Sequence, residues 1–273
     1  MHMLQCGKYQ LPLDQPILMG VVNLTPDSFS GDGLKGDVER ALAHAQFQLD
    51  SGADILDVGA ESTRPGSAPT HLDEELARLR PVLRELVRWG VPISVDTYKA
   101  PVMREALAAG ASMINDIAGM AQQASLDVVA DSDCAVCVMH MQGIPGGMQE
   151  APRYENVVVE VKNWLDAAVD RCIAAKITPN RIVIDPGFGF GKRLEHNVAM
   201  FRNLDSFCNR AYPLLVGVSR KTMLGEITGR VVAERKAASI AAAMLAAQRG
   251  AAIIRVHDVA ETRDALNIMS ALA

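Results

Sequence analysis

Eight short apolar runs recur along the chain, and each is followed by a segment whose apolar residues return every three or four positions. The runs cover residues 17–22, 54–59, 92–96, 112–116, 134–139, 181–185, 214–218 and 252–256. The periodic segments cover 37–50, 72–89, 99–109, 122–131, 155–176, 194–204, 231–249 and 260–271. An uninterrupted apolar run fits a strand buried on both faces, and the 3.6-residue period fits an amphipathic helix. Strand–helix alternation without hairpins predicts a parallel sheet, and eight units predict that the sheet closes into a (β/α)8 TIM barrel. The chain's 273 residues suit one such barrel, which typically takes about 250. We assign residues 17–273 to the barrel and 1–16, two short alternating pieces around Gly7, to a hairpin-like N-terminal extension. Pro81 lies inside the second helical segment and predicts a kink or break after Arg80.

Composition narrows the function classes. A hydrophobic fraction of 49% supports a large core, and no apolar run reaches bilayer length, so no membrane partner is expected. The net charge of −5 argues against nucleic acid. The first residues lack the apolar stretch of a secretory signal. Five cysteines, an odd number without a framework, fit a reducing cytoplasm. Cys134 and Cys137 form a C-x-x-C, but in a strand they face opposite ways, and no second pair completes a zinc site. Two small buried residues are expected there.

In a parallel barrel the working residues sit where strands end and loops begin. Those positions read Asn23, then Glu61-Ser62-Thr63-Arg64-Pro65-Gly66, Asp96, Asn115, His140, Asp185, Ser219-Arg220-Lys221, and Arg255 with His257. Any one of them serves a turn or helix cap as readily as a ligand. Caps do not explain the cations. Arg64, Arg220, Lys221, Arg255 and His257 would converge on one mouth and suit a polyanion such as a phosphate ester. Alone, Asn23 reads as a turn residue; beside the basic cluster it becomes a ligand for Mg²⁺, which completes its shell with water and substrate phosphates. Asp96, Asn115 and Asp185 suit the donor-bearing edge of a flat heterocycle, and Lys221 a ring carbonyl. The run Asp185-Pro186-Gly187-Phe188-Gly189-Phe190-Gly191-Lys192 looks like a phosphate loop but has three residues between Gly and Gly-Lys, followed by Arg193. Its glycines are expected to serve sharp turns while Phe190 offers an aromatic face.

Taken in order, these stretches resemble the dihydropteroate synthases, a family of pterin-binding barrels. The resemblance runs from about Ile17 to His257 and rests on Met19-Gly20-Val21-Val22-Asn23-Leu24-Thr25-Pro26-Asp27-Ser28-Phe29-Ser30, Asp57-Val58-Gly59-Ala60-Glu61-Ser62-Thr63-Arg64-Pro65-Gly66, Ser94-Val95-Asp96-Thr97, Ile114-Asn115-Asp116, the glycine loop after Asp185, Gly217-Val218-Ser219-Arg220-Lys221 and Arg255-Val256-His257-Asp258. It implies condensation of 6-hydroxymethyl-7,8-dihydropterin diphosphate with 4-aminobenzoate to 7,8-dihydropteroate and diphosphate. Asp96, Asn115, Asp185 and Lys221 would hold the pterin edge, Arg255 would stack on its face, and Met139 and Gly217 would line the pocket.

By the same resemblance, Asn23 would bind Mg²⁺, and Arg64, Arg255 and His257 the diphosphate. Thr63, Pro65, Phe190 and Ser219 would border aminobenzoate, where sulfonamides would compete, under the loops around 24–36 and 61–70. A homodimer is implied, with the alanine-rich segment 231–249 as a possible contact. The loop reads Ser30-Gly31-Asp32-Gly33 where the family commonly has Ser-Asp-Gly-Gly, so Asp32 inherits the cation-stabilising role one place late. Two other readings are a methyltetrahydrofolate–corrinoid methyltransferase and a non-catalytic pterin-binding paralogue.

Overall fold

The computed structural model describes residues 3–25, 38–62, 66–208 and 211–272. An antiparallel hairpin of β1 (Met3–Cys6) and β2 (Tyr9–Pro12) comes first. Parallel strands and helices then alternate: β3 (Ile17–Asn23), α1 (Val38–Asp50), β4 (Ile55–Gly59), α2 (Leu72–Leu86), β5 (Ile93–Asp96), α3 (Ala100–Ala109), β6 (Met113–Asp116) and α4 (Gln123–Ala130). They continue with β7 (Ala135–Met139), α5 (Val157–Ala174), β8 (Ile182–Asp185), α6 (Leu194–Arg202), β9 (Leu215–Val216), α7 (Thr222–Thr228), α8 (Lys236–Gln248), β10 (Ile253–Val256) and α9 (Val259–Leu272).

The strands pair in the order β8-β7-β6-β5-β4-β3-β10-β9, and a lone parallel bridge between Ile184 and Leu214 brings the two ends together. The expected barrel is there. Two expectations need correction. Helix α2 continues through Pro81 to Leu86 without a break; its buried face of Leu76, Leu79, Val82, Leu83 and Leu86 packs on the barrel and offsets the missing backbone donor. Helix α7 has no counterpart in the sequence reading, because seven residues are too few to display a period.

Strand parity divides the core. Leu18, Leu56, Val95, Ile114, Val136 and Ile254 face outward into the layer under the helices. Ile17, Met19, Ile55, Met113, Ala135, Val183, Leu215 and Ile253 point into the barrel. Those inward residues stand at the N-terminal ends of the strands, where Leu4 and Cys6 of the hairpin join them and close the barrel floor. Gly7 anchors the hairpin by donating to the Asp133 carbonyl at 3.1 Å. The C-x-x-C obeys the same alternation: Cys134 lies in the outer layer and Cys137 inside the barrel. Apart from the buried Ser94 of β5, the polar inward side chains among the described strand residues lie above this floor, toward the C-terminal ends. Among the described residues, no helix is long and apolar enough to cross a membrane.

Candidate active site

Continuing the inward parity upward from the apolar floor gives Asp57 on β4, Asp96 on β5, Asn115 on β6, Asp185 on β8 and Arg255 on β10. Arg255 crosses the mouth and ties two of the carboxylates. Its Nε donates to Asp57 Oδ2 at 2.6 Å and its Nη2 to Asp96 Oδ2 at 3.0 Å. Asn115 Nδ2 donates to Asp57 Oδ2 at 3.2 Å. Burial works against the guanidinium charge, but Asp57 and Asp96 outweigh it and raise the Arg255 pKa. Burial also pushes Asp96 up to about 7, against the pull of Arg255. Asp57 Oδ1 and Asp96 Oδ1 are buried without a hydrogen-bond partner among the described residues. Buried acceptors are rarely left so, and both oxygens are open to a donor brought in by a ligand. The sequence reading missed Asp57 as a member of this site; its signal was a carboxylate inside the apolar run Ile55-Leu56-Asp57-Val58.

Asp185 and Lys221 face each other electrostatically at the next part of the rim. Burial raises the Asp185 pKa, with Lys221 pulling it down; burial lowers Lys221 to about 8, with Asp185 pulling it up. Lys221 Nζ donates to the Phe188 carbonyl and stands 4.6 Å from the centre of the Phe190 ring. Asp185 Oδ1 accepts from Gly187 N at 2.7 Å. The glycines serve close chain approach. At Gly187, with φ of +68°, a Cβ would lie 1.9 Å from the His140 carbonyl, and at Gly191 it would lie 2.4 Å from the Gln142 carbonyl. Met139 is buried, and Gly217 lies beside Arg255, with room for an ordinary van der Waals contact between them.

Two residues expected at the mouth are engaged by other side chains. Arg220 adopts φ of +57° and turns its guanidinium onto Asp258, at 3.0 Å to Oδ2 and 2.6 Å to Oδ1. His140 is buried with its Nδ1 at 2.8 Å from Lys192 Nζ and its ring edge-on to Trp164. Ser219 and His257 do meet: the Ser219 hydroxyl lies 3.0 Å from His257 Nδ1 and accepts from its backbone N–H at 3.3 Å.

The second loop has a charged stem. Lys99 Nζ donates to Glu61 Oε2 at 2.8 Å, Glu75 Oε2 at 2.7 Å and the Thr70 carbonyl at 2.6 Å. Glu61 Oε1 accepts from Thr70 N at 2.8 Å and from the Tyr98 hydroxyl at 3.1 Å. Sequence reading missed Lys99 and Glu75, since only the fold brings them under residue 61. Thr63, Arg64, Pro65 and Asp32 lie outside the described residues. Asn23 closes β3 beside Gly59. Among the described residues, no three His, Cys, Asp or Glu side chains converge as a metal site.

A parallel barrel whose mouth joins buried carboxylates, an amide and two cations has the layout of a barrel enzyme acting on a polar ligand. The profile described as pterin binding enzyme matches residues 19–257. The chain belongs to that family, and within it to the dihydropteroate synthases, transferases of folate biosynthesis. The Neisseria meningitidis serogroup C dihydropteroate synthase is 49% identical over 276 residues, covering 99% of this chain and 98% of the relative. The Burkholderia cenocepacia dihydropteroate synthase complexed with 7,8-dihydropteroate superimposes with a TM-score of 0.91 at 46% identity, covering 99% of this chain and 96% of that one. The Xanthomonas albilineans dihydropteroate synthase with 4-aminobenzoic acid gives 0.92 at 47% identity, covering 99% and 98%.

Proposed function

We propose that this chain condenses 6-hydroxymethyl-7,8-dihydropterin diphosphate with 4-aminobenzoate, releasing diphosphate and forming 7,8-dihydropteroate. The observation that carries the reading is the clamp of Arg255 between Asp57 and Asp96, with a buried unpartnered oxygen on each carboxylate. Asp96, Asn115 and Asp185 accept from the ring's amino and N–H groups, and Lys221 donates to its carbonyl. Arg255 lies over the ring face, and Met139 and Gly217 bound the pocket. Arg64, Arg255 and His257 take the diphosphate. Thr63, Pro65, Phe190 and Ser219 border the aminobenzoate.

A hard cation suits the first strand end on donor chemistry: Asn23 offers one amide oxygen, so the rest of the shell must come from water and phosphate. Asn23 would hold the Mg²⁺, which when bound would supply positive charge near the diphosphate. The cationic side chains add to that charge, and no enzyme nucleophile is required. As the carbon–oxygen bond breaks, the pterin methylene becomes electron-poor, and Asp32 is the acid assigned to stabilise it. The aniline nitrogen then forms the new carbon–nitrogen bond and passes its extra proton to the departing diphosphate, while the surrounding loops would exclude water that would otherwise hydrolyse the intermediate. We assign the enzyme to the cytoplasm, a setting supported by five free thiols, and we expect a homodimer.

The test is diphosphate release from the dihydropterin diphosphate with Mg²⁺, with and without 4-aminobenzoate. Release that rises with aminobenzoate and yields dihydropteroate supports the synthase. Tight pterin binding without turnover would instead indicate a non-catalytic paralogue.

A further inference from the structure

Lys192 ends the glycine loop, and the reaction as written does not use it. Its side chain turns inward and is 3% exposed. Nζ lies 2.9 Å from the Gly187 carbonyl, 3.0 Å from the Phe190 carbonyl and 2.8 Å from His140 Nδ1, with the His140 carbonyl farther away at 3.4 Å. An ammonium has three donors, and three near acceptors match them; burial pulls the Lys192 pKa well below its ordinary value, and the nearby Asp185 charge opposes that pull. Burial, and then Lys192 beside it, hold the His140 imidazole down to about 3, so the ring is neutral and Nδ1 accepts.

The neighbouring carbonyls of the loop are each taken by a side chain. Phe188 O accepts from Lys221, Gly189 O from Gln149 Nε2 and Gly191 O from the Tyr154 hydroxyl at 2.9 Å. With the two held by Lys192, every carbonyl from Gly187 to Gly191 has a side-chain donor. Three glycines with positive φ make this stretch intrinsically loose. Side-chain donors from several elements fix it, and Lys192 alone holds two carbonyls three residues apart.

We propose that Lys192 is a positioning residue for the arylamine half of the site. Its buried ammonium sets the backbone that presents the Phe190 ring, whose face also meets Lys221. The inference rests on the reading that places Phe190 beside the aminobenzoate. The pterin side touches the same span through single contacts, Gly187 N to Asp185 and Phe188 O to Lys221, whereas the Phe190 backbone is held by Lys192 directly, so the pterin side is affected less.

The experiment compares wild type with Lys192→Met, measuring KM for 4-aminobenzoate and Kd for the dihydropterin diphosphate. We expect the aminobenzoate KM to rise about tenfold or more and the pterin Kd to rise by a clearly smaller factor. In Lys192→Ala, added propylammonium, which restores the deleted chain and its charge, lowers the aminobenzoate KM again, whereas tetramethylammonium does not. Should Lys192→Met fail to fold, Tyr154→Phe and Gln149→Leu remove the outer donors and should shift the same constant in the same direction by a smaller factor. An unchanged aminobenzoate KM, or an equal loss on both substrates, overturns the proposal. A wild-type enzyme without aminobenzoate-dependent turnover would refute the functional reading instead, and the control shows which has failed.

Discussion

Arg255 and Asp57 are 198 residues apart in the chain, yet their side chains meet at 2.6 Å inside the barrel. Asp57 is fully buried and stands below the rim, so it holds the Nε edge of the guanidinium while Asp96 holds an outer nitrogen. The two contacts fix the plane of Arg255, which sets how a flat ring can lie against it.

Replacing Asp57 by Ala should therefore damage both stability and binding. A buried cation that loses a partner costs about 3 kcal/mol or more, with Asp96 keeping the loss toward the lower end. Urea unfolding measures that cost. Pterin affinity, measured by calorimetry, should fall by at least about tenfold as Arg255 loses its orientation.

Pterin binding should depend on pH through Asp96. Burial raises its pKa from 3.8 to about 7, so the empty folded protein holds a proton there that the unfolded chain has already lost. Its contribution to stability is fully present below about 4, the ordinary carboxylate value, and is lost as pH rises through about 7. Ring donors favour the carboxylate, so pterin binding should release a proton below about 7 and tighten as pH rises to that value. Calorimetry in buffers of different ionisation enthalpy reads the proton directly, and Asp96→Asn should abolish its release.

The stem of the second loop should fail through charge. Lys99→Met leaves Glu61 and Glu75, both nearly inaccessible, facing each other without a cation. A loss of about 3–5 kcal/mol is expected, readable by denaturant unfolding. Adding Glu75→Gln removes one of the stranded charges and should recover part of it.

Gly187→Ala should be more damaging than an ordinary loop substitution. The new Cβ would collide with the His140 carbonyl, in a backbone conformation that side chains rarely adopt. We expect a loss of at least about 2 kcal/mol together with weaker pterin binding, since Gly187 N also holds Asp185. Thermal unfolding and turnover measured together test it; normal values for both would contradict the close approach.

Much of this was legible in the chain. The eight apolar runs appear as eight strands; Asp96, Asn115, Asp185 and Arg255 stand where those strands end, and Lys221 lies in the segment between β9 and α7. Strand periodicity and strand ends are local properties, so a linear reading reaches them. The same locality limited it: Arg220 and His140 occupy the right ends of their segments but point to Asp258 and Lys192.

The sequence by itself determined the barrel and its family, and it set Asp96, Asn115, Asp185 and Arg255 at the C-terminal ends of strands. Tertiary structure alone decided that Asp57 belongs to the site, that Lys99 ties the second loop to Glu75, and that Lys192 faces inward to hold a glycine loop rather than outward to a phosphate. Each of those depends on which side chains meet across the barrel or between neighbouring segments. Such partners are chosen by packing and by the cost of leaving a buried charge or carbonyl unpaired, and neither leaves a period in the sequence.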